Sequence, residues 1–130
     1  MIHIINIKEE DRSTNPGYFY VGRSKNNNSP LGNPFTHNGK RSNIAKLTFK
    51  TVDEAIDAYE RYFDVMYGND KAFTNAFDEI YEYYKTGNDV YLGCFCAPGK
   101  CHASIIAKKL QQRLIKEKMN ELKHMAKKRQ

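Results

Sequence analysis

Val90-Tyr91-Leu92-Gly93-Cys94-Phe95 is a mostly apolar run that arrives late in the chain, after two long amphipathic stretches. A strand of this kind suits the middle of a sheet, because a strand buried on both faces has no need of polar alternation. Two shorter strand-like runs precede it, Ile2 to Ile7 and Tyr18 to Val21, separated by a polar loop carrying the turn signal Asn15-Pro16-Gly17. The segment between Val21 and Val90 is long enough for a parallel crossover. If the Tyr18 and Val90 strands are parallel, their carboxyl ends share one edge. The loops starting at Gly22 and Cys94 then meet at a crevice of the sort where open α/β sheets hold ligands.

The intervening stretches read as helices. Thr51-Val52-Asp53-Glu54 forms a capping box, and Val52, Ala55, Ile56, Tyr59, Phe63 and Met66 follow on one helical stripe that Gly68-Asn69 ends. A second helix spans about Lys71 to Lys85, with Phe73, Ala76, Phe77, Ile80 and Tyr84 inward and Gly87-Asn88 as its stop. Tyr81, Tyr83 and Tyr84 belong to that helix face, with one or two of them expected at the rim of the crevice. The last helix starts at Cys101-His102 and carries Ala103, Ile106, Ala107, Leu110 and Leu114, its periodicity persisting through Met119 and Leu122. The stretch from Gly22 to Lys50 is read as irregular. The expected fold is a small α/β domain of about three strands and three main helices over residues 1–115. Residues 116–130 form a basic helical extension.

Composition removes several classes. Hydrophobic residues make up 40% and charged ones 28%, the balance of a globular domain. No apolar run approaches the roughly 20 residues of a membrane helix, so no membrane role is expected. Ile2-His3-Ile4-Ile5 directly after Met1 is unlike a secretory leader, and three cysteines within eight residues are unlike a secreted disulfide framework. A reduced, cytoplasmic setting is the expectation. Nine of the 21 Lys and Arg lie after Ala107, against Glu117 and Glu121 alone, so the net +6 comes from the last helix onward and the chain before it is close to neutral.

Two loops carry the candidate chemistry. In the first, Gly22-Arg23 precedes Ser29-Pro30-Leu31-Gly32-Asn33-Pro34-Phe35. Arg23 suits the gripping of a phosphate or carboxylate. Gly22, Ser29, Gly32 and Asn33 give a path whose amides and polar groups can face a ligand. The alternative is a turn that plugs the sheet edge, with Phe35 in the core and Arg23 in a surface ion pair. His37 follows this loop and is read as solvated.

The second loop, Cys94 to His102, holds every cysteine and one of the four histidines, broken by Pro98-Gly99. Three mechanisms stay open for it. Cys101 at a helix start is a candidate nucleophile, with His102 as acid-base. Cys94, Cys96, Cys101 and His102 make a three-cysteine, one-histidine set for structural zinc, although ligands one residue apart followed by an adjacent Cys-His pair are tighter than the common spacings. The helix start can also hold an anion through its amides, with Lys100 adding charge. Against all three, Cys94 on a buried strand is read as a small core residue. His3 and His124 are read as incidental.

Together the two loops resemble the family known as domain of unknown function 4326, small and largely bacterial and phage proteins. The resemblance rests on Gly22-Arg23, Ser29 to Phe35, Cys94-Phe95-Cys96-Ala97-Pro98 and Cys101-His102, in that order over about residues 1–110. Two positions depart: Phe95 stands where Trp is usual, and Ala103-Ser104 where a small-acidic pair often follows Cys-His. The resemblance implies a small Rossmann-like α/β fold and a phage- or prophage-type protein, but no reaction. With no carboxylate pair in either motif, the residues point to a nucleotide or nucleotide-derived phosphorylated ligand. That ligand would be held by Gly22, Arg23, Ser29, Gly32, Asn33, Cys96, Lys100, Cys101 and His102. The alternatives are a hydrolase or transferase using Cys101 and His102 on such a ligand, and a structural zinc or nucleic-acid-binding module. No cofactor is expected. The tail is expected either to pair with a second copy or to fray beyond about Lys116, with nucleic-acid contact as the competing account of its lysines.

Overall fold

A computed structural model describes residues 1–6, 15–22, 29–36, 47–48, 51–94 and 101–128. Three strands form the main sheet: β1 (Ile2–Asn6), β2 (Tyr18–Tyr20) and β5 (Val90–Cys94). Their order is β1-β5-β2, with β5 in the middle and both pairings parallel. The late apolar run is thus the central strand, and the parallel relation of β2 to β5 holds. Val90, Leu92 and Cys94 are fully buried and join one cluster with helix residues.

The stretch after Gly22 is not wholly irregular. β3 (Phe35–Thr36) and β4 (Leu47–Thr48) pair in parallel as a separate two-stranded sheet. Two-residue strands complete only one alternation of faces, so they leave no period in the sequence.

The helices fall close to their sequence limits. α1 (Val52–Met66) is capped by Thr51, whose hydroxyl accepts from the Glu54 amide at 3.1 Å. α2 (Lys71–Lys85) is capped by Asp70, which accepts from the Phe73 amide at 2.9 Å. Gly68 and Gly87, at φ +87° and +93°, take the left-handed conformations that close these helices. α3 (Ala103–Lys128) runs unbroken for 26 residues, about 39 Å at 1.5 Å per residue. It remains helical beyond Lys116, where fraying was the alternative. α2 and α3 pack on β5, and α1 packs on α3 and β3. No described helix is long and apolar enough to cross a membrane.

The α2–α3 seam corrects one expectation. Tyr81 is completely buried, and its hydroxyl donates to Glu117 Oε2 of α3 at 2.6 Å. Tyr83 sits edge-on to Phe19. The carboxyl end of α2 leads into the amino end of β5, so these tyrosines lie at the opposite end of the sheet from the edge where β2 and β5 finish. None rims it.

Candidate functional site

Parallel pairing puts the carboxyl ends of β1, β5 and β2 on one edge, at Asn6, Cys94 and the Tyr20-Val21-Gly22 turn-off. α3 begins at that same edge, with Cys101 and His102 immediately before its first residue. His102 bridges the two loops: its Nε2 lies 2.5 Å from the Val21 carbonyl oxygen. A carbonyl only accepts, so Nε2 carries a proton, and Nδ1 is an acceptor whenever the ring is neutral. Nδ1 faces the Cys101 Sγ at 3.5 Å. Cys101 Sγ in turn lies 2.9 Å from Cys94 Sγ. A thiol, a base and a group that orients the base therefore stand in line.

Tyr59 of α1 closes the far side of this cluster. Its ring meets the His102 ring edge-on at 5.0 Å between centroids. Its hydroxyl donates to the Leu31 carbonyl at 2.6 Å, which latches the first loop to the core. Burial, and then the neighbouring Tyr62 and Cys101, push the Tyr59 phenol well above its ordinary range. It donates as the neutral phenol. The sequence marks Tyr59 only as a stripe residue; its signal was the hydroxyl, which a buried tyrosine must satisfy.

The first loop is more architectural than a ligand cradle requires. Leu31 is 1% exposed. The Ser29 hydroxyl accepts from the Leu31 amide at 3.1 Å, and the Gly32 amide donates to the Ser29 carbonyl at 2.9 Å. The Gly32 amide and Ser29 hydroxyl, expected to face a ligand, are thus engaged in their own turn. The Gly22 carbonyl accepts from the Ser29 amide at 3.1 Å, so Gly22 closes the loop's base. Asn33 is half-buried beyond it. Arg23, His37, Cys96 and Lys100 lie outside the described residues.

Of the four residues in the zinc reading, the structure brings Cys94, Cys101 and His102 together. Two thiolates on one tetrahedral zinc, at about 2.3 Å each, sit roughly 3.7 Å apart. The 2.9 Å between Cys94 Sγ and Cys101 Sγ is shorter than that spacing. Among the described residues no group of three His, Cys, Asp or Glu is disposed to hold a metal ion.

A family model described as Domain of unknown function (DUF4326) matches residues 5–112. The chain belongs to this family. The matched span of this DUF4326 protein takes in both loops, β2, β5 and the packed first part of α3, and stops one residue before Arg113. Searches of curated proteins and of solved structures gave no match.

Proposed function

We propose that this DUF4326 protein binds a nucleotide or nucleotide-derived phosphorylated ligand at the carboxyl edge of the main sheet. The convergence of three parallel strand ends with the start of α3 is the observation that supports this reading most. Such edges are where open α/β sheets take ligands, and the positive end of a helix dipole favours an anion. Charge agrees. Neither Gly22–Phe35 nor Cys94–His102 contains an Asp or Glu, while together they contain Arg23, Lys25 and Lys100. Cys101 and His102 are only 4% and 6% exposed, so they offer a ligand little surface. That burial favours holding over turnover.

Calorimetry with nucleotides, dinucleotides and ADP-ribose derivatives tests the reading. Binding tighter than millimolar is expected, weakened at least about tenfold by Arg23→Ala, or roughly 1.4 kcal/mol. If every probe fails, or Arg23→Ala leaves affinity unchanged, the reading is wrong.

The His102 tautomer favours a second reading, cysteine chemistry on such a ligand. Cys101 would pass its proton to Nδ1, its sulfur would attack an electrophilic centre, and the displaced group would take the proton back. Iodoacetamide should then label Cys101 faster than a model thiol at neutral pH, and lose that advantage in His102→Gln. Equal rates in the wild-type protein would remove it.

A further inference from the structure

Beyond Leu114 the body of the domain leaves one face of α3 uncovered, yet the helix keeps a row of apolar side chains there. Ile115, Met119, Leu122 and Met125 are 64%, 51%, 61% and 52% exposed. Ile115, Met119, Leu122 and Ala126 recur at intervals of four, three and four, the spacing of a coiled-coil seam. At 3.6 residues per turn these four side chains fall within an arc of about 60°. Lys116 and Lys123 border the arc on one side and Lys118 on the other, all exposed. The two acids of this segment are turned away. Glu121 lies well round the helix, and Glu117 lies opposite the seam, holding Tyr81 at 2.6 Å and Arg113 at 3.4 Å.

We propose that this seam docks an acidic amphipathic helix of a partner protein, one with its own apolar heptad row bordered by Glu or Asp. Charge complementarity selects that occupant. In a second copy of the chain, either helix direction would set lysine against lysine along the flanks, and like charges across such a seam disfavour pairing. The row is also short, about 17 Å from Ile115 to Ala126 at 1.5 Å per residue, which leaves little apolar contact to offset that repulsion. A lipid surface calls for a broad apolar face, whereas this stripe has the narrow width of a helix-pair seam. Nucleic acid would use the lysines and leave Ile115, Met119 and Leu122 in water. An acidic helix engages both features at once, and Met119 supplies an adaptable side chain within the seam.

The proposal is independent of the crevice, and its test uses the full chain. The probe is a synthetic helical peptide with Leu and Ile at its heptad seam and Glu at the flanking positions, followed by fluorescence anisotropy. Saturable binding is expected, weakening as salt rises. Leu122→Asn should weaken it at least tenfold, and replacing Lys116, Lys118 and Lys123 by Gln should remove most of the salt dependence. The same peptide with Lys at its flanks should not bind. These residues are exposed, so circular dichroism should show each variant folded as the parent. The proposal is overturned if the acidic peptide fails to bind or binds Leu122→Asn equally well. It is also overturned if phosphatidylserine vesicles or duplex DNA bind more tightly than the peptide, or if light scattering shows a dimer that Leu122→Asn dissolves.

Discussion

His102 holds two elements with one ring, donating from Nε2 to the Val21 carbonyl while Nδ1 faces Cys101. Because the site is 6% exposed, removing the ring leaves that carbonyl short of a donor that water cannot easily replace. His102→Ala should therefore cost about 1–3 kcal/mol from the lost bond, before any cavity, seen as a lower urea midpoint at unchanged slope. Gly17 is constrained by space and not by charge. A Cβ there would stand 2.4 Å from the Asp89 carbonyl oxygen, a backbone atom that cannot swing aside. Gly17→Ala should destabilise by about 2 kcal/mol in the same measurement. Gly17 was legible as part of a turn signal, because turn residues announce themselves by type. The Val21 carbonyl was not, since a backbone acceptor looks the same at every position.

Between α2 and α3 a polar network replaces part of the apolar contact. Tyr67 donates to Asp78 Oδ1 at 2.5 Å, and Arg113 Nη1 reaches both the Tyr67 hydroxyl at 2.8 Å and Asp78 at 2.7 Å. The Arg113 guanidinium also lies over the Tyr81 ring, 4.0 Å from its centroid. Burial and the bond to Asp78 raise the Tyr67 phenol from 10.0 to about 12, with Arg113 pulling the other way. Burial and then Glu117 raise Tyr81 as well. A raised folded-state value means the stabilisation is whole below the ordinary phenol range and fades as pH climbs through the folded one. Helical signal should thus decline between pH 10.0 and about 12 together with tyrosinate absorbance. Tyr67→Phe should make that decline shallower, at the cost of lower stability near neutral pH. The helices themselves were readable from caps, stripes and glycine stops. The network was not, because Asp78 and Arg113 are 35 residues apart and no sequence pattern links them.

At the scale of the molecule, the shared carboxyl edge was legible from one inference, that β2 and β5 are parallel, because parallel strands necessarily end on the same edge. The β3–β4 sheet was not, being too short to leave a pattern. The sheet order has a further consequence for how the chain comes together. β1 and β2 are the first strands in the sequence, yet neither touches the other; each pairs only with β5, which comes last. As the chain leaves the ribosome, α1 and α2 can form from local contacts while the main sheet has no nucleus at all. The first 89 residues then carry two strands with open edges on either side of a gap one strand wide. Such edges invite pairing with other chains. A fragment ending at Asp89 should show helical circular dichroism without cooperative melting, and should aggregate where the full chain does not. If it melts cooperatively as a soluble monomer, β5 is not the strand on which assembly waits.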